Sequence, residues 1–287
     1  MLRKLPITLF IAAGLICVLG CSAKHKLDKE TKQVGQAQEP KSSFPKVRTT
    51  ANQMGFEDTE ANDLLKKFLN FAPAAPGHLM DLGCAKGFAI QEMLALETKK
   101  PFLSPRNKKI FAVDMSKEHI EFVAKNTPGD LVKTFQIRFP ETESPDVHRC
   151  FAPDTLGAVY AGLIFHYLNG PELRQGLKLL LQSIAPGGRL YASVNSALSA
   201  ENMKKDFLHR KNVLKEEYPG WFENYESMLP SFIRGQSPSY LHVFDKETLT
   251  RYAKDAGFNV IDCSYFYRGS DMMKMEQVGI IAEKPNN

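Results

Sequence analysis

"HLMDLGCAKGFAIQEML", from His78 to Leu94, joins a short apolar run to a helical pattern through a turn bounded by Gly83 and Gly87. "HLMDL" has the length of one buried strand, and "FAIQEMLALE" (Phe88–Glu97) is a stretch of good helix formers. Strand, glycine turn and helix in immediate succession make the opening unit of an open parallel α/β sheet. In such sheets, ligands bind outside the carboxyl ends of the strands, near the point where strand order reverses. Gly83 and Gly87 let backbone lie close to a ligand there. The helix that starts near Phe88 points its partial positive end at the same place, so an anionic group is welcome.

The pattern repeats along the chain. "KIFAVDMS" (Lys109–Ser116) reads as a second strand and "KEHIEFVAKN" as the helix after it. "LVKTFQI" reads as a third strand, and "LGAVYAGLIFHYL" (Leu156–Leu168) begins as a fourth. "PELRQGLKLLLQSIA" is an amphipathic helix that Pro186, Gly187 and Gly188 bring to an end. "GRLYASVNS" supplies a fifth strand, "DKETLTRYAKDAGF" a helix to Gly257, and "NVIDCSYFYR" and "QVGIIAEK" a closing pair of strands. Upstream, Asp58–Ala72 sets Ala61, Leu64, Leu65, Phe68 and Leu69 on one helical face. The alternation predicts an α/β fold with a mostly parallel sheet, as one domain over residues 51–287. Residues 198–241 interrupt it with a charged segment that carries the only tryptophan. Such an insertion is expected as a lid or a pocket wall. Trp221, Phe222 and Tyr225 either face a substrate or tie this segment to the core.

Of the formal charge of +5, the six basic and two acidic residues before Val34 account for +4, which leaves +1 for the rest. A nearly neutral body argues against nucleic acid as a partner, because phosphate contacts need clustered Lys and Arg. The N-terminus "MLRKLPITLFIAAGLICVLGCSAK" has a basic start at Arg3 and Lys4, an apolar stretch from Leu5 to Leu19, and small Gly20 before Cys21. This is the layout of an export signal, and the apolar stretch is short of the roughly 20 residues of a membrane span. "VLGC" (Val18–Cys21) resembles the lipobox of bacterial lipoproteins, which implies acylation of Cys21 and an exported, membrane-anchored protein. The alternatives are an uncleaved anchor with a cytoplasmic domain, or a cleaved signal with an ordinary cysteine. Residues 22–50 are polar, without apolar period, and are expected to form a flexible tether. Cys84, Cys150 and Cys263 are too scattered for a disulfide framework or a paired-cysteine zinc site.

The spacing of Gly83, Ala85 and Gly87 does not match the dinucleotide fingerprint G-x-G-x-x-G. Asp81, two residues before the first glycine, would repel a pyrophosphate. The next strand-end acid, Asp114, lies beyond the roughly 20 residues expected of a nicotinamide site. A ligand with an amino acid and a ribose but no phosphate fits better.

"DLGCAKG" (Asp81–Gly87) resembles the D-x-G-x-G-x-G motif of the class I S-adenosylmethionine-dependent methyltransferases, with Ala85 at the middle glycine. "FAVDMS" resembles their second motif, "IAPGGRLYAS" their fifth-strand entry, "FHYL" the segment after strand four, and "DAGFNVID" the entry to strand six. The likeness runs in order over Asp58 to Lys284. Gly157 stands where the family often has an acid, and "RFPETESPDVHRC" offers no clear contact for the adenine amine. The resemblance implies a Rossmann-like, seven-stranded, mostly parallel sheet with helices on both faces, and S-adenosylmethionine as cofactor. It also implies site roles. Asp81 lies near the ammonium of the methionine part, and backbone at Gly83, Ala85 and Gly87 accommodates that part. Asp114 takes the ribose hydroxyls, and Met115 packs on the adenine.

Each role has a plainer counterpart. Asp114 could instead cap the helix "SKEHIEF", but its spacing to the first motif and the adjacent Met115 favour the ribose role, and a turn cap is likewise the less favoured reading of Asp81. Cys84 reads as a small apolar filler. His166, after strand four, is a candidate general base, since histidine titrates near neutral pH, or a histidine that only packs or bonds a carbonyl. No metal site is expected. The leading functional reading is methyl transfer to a small-molecule or lipid-like acceptor. Its rival is an exported binding module that keeps the fold without turnover.

Overall fold

A computed structural model of the chain describes residues 47–49, 56–228, 239–268 and 275–286. The signal-like segment with Cys21, and the tether apart from residues 47–49, lie outside the described residues.

Two short strands, β1 (Val47–Thr49) and β2 (Phe56–Asp58), pair antiparallel ahead of α1 (Asp63–Phe71). The main sheet then grows from β3 (His78–Leu82) through α2 (Phe88–Lys99), β4 (Ile110–Asp114), α3 (Lys117–Asn126) and β5 (Val132–Gln136). After α4 (Pro145–Cys150) the chain returns to the other side of β3 with β6 (Leu156–Gly162), α5 (Gly170–Ser183) and β7 (Ile184–Asn195). The excursion after β7 holds α6 (Glu201–Asn212), β8 (Trp221–Phe222) and β9 (Leu241–His242), and α7 (Lys246–Ala256), β10 (Asn259–Arg268) and β11 (Met275–Glu283) close the fold.

The seven strands lie in the order β5-β4-β3-β6-β7-β11-β10. Five strands pair in parallel, and β11 runs antiparallel to both β7 and β10, so it alone points against the other six. Strand order reverses between β3 and β6, so the glycine turn after β3 stands at the switch point. This is the doubly wound, Rossmann-like architecture that the sequence implies.

Successive strand residues serve opposite faces. Met80 and Leu82 join Val113, Val159 and Leu190 in a core covered by Leu173 and Leu177 of α5 and Leu249 of α7. Leu79 joins Ile110, Ala112 and Ala158 in a second core beneath Leu65 and Phe68 of α1, Ile90 and Met93 of α2, and Val123 of α3. Both faces are buried, which is why the strands read as continuous apolar runs and not as alternations. Phe68 is fully buried, and its burial contributes roughly 1.5–3 kcal/mol. Phe68→Ala would open a hole between α1 and the sheet.

Helix starts follow side-chain caps. Asn62 Oδ1 accepts from the Leu65 amide at 2.9 Å, so α1 begins at Asp63 and not at Asp58. Capping boxes open α5 (Asn169 with Glu172) and α7 (Asp245 with Thr248), and Gly257 closes α7 at φ +109°. The helix expected to reach Ala185 ends at Ser183. Ile184 already pairs with Leu156, so strand pairing takes over before the proline is reached. The fourth strand stops at Gly162, and Phe165–Tyr167 form a 3-10 turn. Among the described residues no helix is long and apolar enough to cross a membrane.

Candidate functional site

The turn after β3 is left-handed at three places: Gly83 (φ +79°), Ala85 (+45°) and Gly87 (+78°). A Cβ at Gly83 would meet Ile164 Cδ1 at 2.9 Å, and one at Gly87 would meet Val123 Cγ2 at 3.1 Å. Both glycines therefore serve conformation and close packing together. Ala85 has no such freedom and holds a conformation that costs an L-residue roughly 1–2 kcal/mol. Cys84 is buried behind the turn, as the filler reading has it.

What holds Ala85 there is Asp114, at the tip of the neighbouring strand. The Ala85 amide donates to Asp114 Oδ2 at 3.1 Å, and the Ser116 amide donates to Oδ1 at 2.8 Å. Ser116, not Asp114, caps α3, through its hydroxyl and the His119 amide at 3.3 Å. The acid is thereby left to the crevice. Two amides use part of a carboxylate's capacity of about four acceptor positions, so it can accept more. Met115, next along, is 64% exposed, an apolar side chain beside a polar crevice.

Asp81 is 3% exposed at the end of β3, in register with Ala112 on β4 and Tyr160 on β6. The cap of α1 reaches the same corner, with Asn62 Nδ2 donating to the Tyr160 hydroxyl at 3.4 Å. Asp81, Asn62 and Tyr160 thus line one side of the strand reversal, and Asp114 and Met115 line the other.

The end of β6 forms the remaining wall. Leu163 is left-handed (φ +58°) and donates its amide to the Ser193 carbonyl at 3.0 Å. Ala85 and Leu163 are therefore two non-glycine residues in a strained region, at adjacent strand ends, as is common at functional sites. His166 is buried in the following turn, with its ring 4.0 Å from that of Tyr167, which is 46% exposed.

The segment after β7 folds back on this end of the sheet. Phe244 pairs with Ser196, and Ala197 donates to the Phe244 carbonyl at 2.7 Å. Met203, Phe207, Phe222, Leu241 and Val243 make a small core of their own. Phe222 belongs to that core, while Trp221 lies against Tyr240 and His242. His242 is fully buried, and its Nδ1–H donates to the Leu168 carbonyl at 2.9 Å, which ties the segment to the His166 turn. Burial, helped by the Arg210 charge and opposed by that hydrogen bond, holds its pKa down to about 4, so the ring is neutral at physiological pH.

A cavity of about 450 Å³ lies elsewhere, on the outer edge strand β5, lined by Thr127, Lys133, Phe135, Asp146 and Arg149. It is two strands from β3 and touches none of the residues above. Left-handed Ala85 and Leu163, buried Asp81, Asp114 and the strand reversal meet instead at the β3–β4–β6 crevice.

Strand order and turn together decide the comparison. The chain has the fold of the S-adenosylmethionine-dependent methyltransferases. It is similar to an S-adenosylmethionine-dependent methyltransferase from Methanosarcina mazei, with a TM-score of 0.55, 16% identity, and coverage of 79% of this chain and 100% of that one. It is also similar to the 1,6-didemethyltoxoflavin-N1-methyltransferase of Burkholderia thailandensis, solved with 1,6-didemethyltoxoflavin and S-adenosylhomocysteine bound. There the TM-score is 0.50 at 12% identity, over 78% of this chain and 79% of that one. No protein-family model and no curated protein matches the sequence.

Three residues around the crevice escape the sequence pattern: Asn62, Tyr160, and His119, whose Nδ1 lies 3.0 Å from Asp114 Oδ1. Asn62 and Tyr160 are visible only once α1 is seated over the β3–β6 junction. His119 had a signal. It lies four residues before Val123 on the inward face of α3, where an apolar residue is expected.

Proposed function

We propose that the protein is an S-adenosylmethionine-dependent methyltransferase acting on a small-molecule or lipid-like acceptor. The observation that carries this reading is the Asp114 carboxylate at the tip of β4, hydrogen-bonded to the Ala85 amide of the turn after β3, at the point of strand reversal. The residues fit the ligand. A Cβ-free Gly83 keeps backbone bare where Ile164 closes in, and Asp114 retains acceptor positions for a vicinal diol. Met115 offers an apolar side chain for a base, and buried Asp81 offers negative charge toward an ammonium. The bound sulfonium supplies the reactive methyl group. The protein's share is then alignment and exclusion of water. Asp114 orients the sugar, and the turn at Gly83, Ala85 and Gly87 seats the methionine part. The turn carrying His166, with the β8–β9 segment against it, shapes the acceptor side. His166 serves as general base where the acceptor must lose a proton.

We also propose that Cys21 is acylated and anchors the protein to a membrane, on the strength of "VLGC" after an apolar stretch. Palmitate labelling of wild type but not of Cys21→Ser supports this, and equal labelling refutes it. An export signal favours a second reading, a binding module without turnover, since S-adenosylmethionine is made in the cytoplasm. Incubation with methyl-labelled S-adenosylmethionine and a panel of hydroxyl, amine and lipid acceptors separates the two. Label transferred to an acceptor supports the enzyme, whereas binding with no transfer to any acceptor supports the module.

A further inference from the structure

His119 sits in the first turn of α3, with Nδ1 3.0 Å from Asp114 Oδ1. The two side chains are 8% and 10% exposed. Neither imidazole nitrogen makes an aligned hydrogen bond, although both are buried. The Nδ1 contact has the distance of an ion pair without the direction of a hydrogen bond. A buried polar atom without a partner costs about 1–3 kcal/mol, so each one in a native fold calls for a physical account.

Packing does not account for this residue. Its neighbour on the same helix face, Val123, is apolar and 1% exposed, and a leucine would fill that face at no polar cost. Nor does capping account for it, because the His119 amide, not its ring, meets Ser116. What the ring faces is the carboxylate that joins β4 to the glycine turn. Asp114 has one oxygen bonded by Ala85 and the other by Ser116, and the imidazole stands beside the second. A small rotation of either side chain turns the contact into an Nδ1–H···O bond.

We infer that His119 is a positioning residue of the nucleoside subsite: its Nδ1–H fixes the carboxylate plane of Asp114 so that the lone pairs left over face a vicinal diol. This rests on the proposed function, since a ribose is what the diol stands for. A carboxylate held from three sides loses less freedom when a ligand binds, and the gain falls on affinity.

The full chain is titrated calorimetrically with S-adenosylhomocysteine as wild type, His119→Asn and His119→Leu. Asparagine carries an N–H near the place of Nδ1, and leucine only fills space. The expected order is wild type, then asparagine within about threefold, then leucine weaker by roughly tenfold or more. A packing role reverses the order, with leucine tolerated better than asparagine, and that reversal or three equal affinities overturns the inference while leaving the proposed function standing. Wild type that fails to bind sinks both. Should the leucine variant not fold, ring nitrogen resonances of ¹⁵N-histidine-labelled wild type decide. A shift of His119 Nδ1 on ligand addition supports the inference, and an unmoved signal overturns it.

Discussion

The Ala85 amide and the Asp114 carboxylate, 3.1 Å apart, lock the turn after β3 to the tip of β4. One side chain therefore does two jobs, holding the loop and facing the crevice. Asp114→Asn keeps the shape but leaves one carbonyl oxygen for two amides and removes the charge. Hydrogen bonds to charged groups contribute about 1.5–3 kcal/mol. The expected loss is roughly 2 kcal/mol in ΔG of unfolding, read as a lower urea midpoint without ligand present.

Ala85 tests whether the turn is strained. Its φ of +45° costs an L-residue about 1–2 kcal/mol, while glycine adds roughly 0.5–1 kcal/mol of chain entropy. Ala85→Gly is expected to raise stability by a few tenths to about 1 kcal/mol. Gly83→Ala, at φ +79° and with Ile164 Cδ1 2.9 Å from the new methyl, is expected to lower it by more than that. Denaturation midpoints of the two variants should move in opposite directions.

Glu97 anchors the loop between α2 and β4. Its carboxylate, 7% exposed in α2, accepts from the amides of Phe102, Leu103 and Ser104 at 2.6, 2.7 and 3.1 Å and from the Ser104 hydroxyl at 2.9 Å. Burial pushes its pKa up, but the hydrogen bonds together outweigh that and hold it below the ordinary 4.5. A depressed folded-state pKa gives stability that is present above 4.5 and lost as pH falls through the lower value. Glu97→Ala leaves three amides short of a partner and is expected to destabilise by about 3 kcal/mol. Glu97→Gln should keep part of that and remove the acid-labile component.

His242 predicts a second pH dependence. Its pKa is about 4 in the fold against an ordinary 6.5, so the unfolded chain takes up the proton first as pH falls. Stability is fully present above pH 6.5 and declines toward pH 4, by up to roughly 3 kcal/mol from this group alone. His242→Asn keeps a donor toward the Leu168 carbonyl and cannot titrate there. Its ΔG of unfolding should be flatter than wild type between pH 6.5 and 4, and parallel curves would count against the buried neutral ring.

Much of the fold was legible in the sequence because both faces of the sheet are covered. Apolar runs such as "HLMDL" and "FAVD" need no phase to be recognised, and Gly83, Pro186 and Gly257 punctuate them. The positions of the proposed site residues Asp81, Gly83, Gly87 and Asp114 are legible because they lie at strand ends and in the turn between them. Two kinds of feature were hidden. Strain at Leu163 depends on how β6 leaves the sheet beside Ser193, which no local pattern encodes. The tie from His242 to Leu168 joins residues distant in sequence, and the small core of Phe207 and Phe222 lies in a segment whose charge masks its apolar positions. Helix ends depart from the sequence pattern where tertiary pairing intervenes, as at Ile184.

The most direct test is calorimetric binding of S-adenosylhomocysteine to wild type and Asp114→Ala. A dissociation constant on the order of micromolar for wild type, weakened at least tenfold by the substitution, is the expected result. No heat from wild type at hundreds of micromolar ligand, or equal affinity in both proteins, would contradict a nucleoside held between the glycine turn and Asp114.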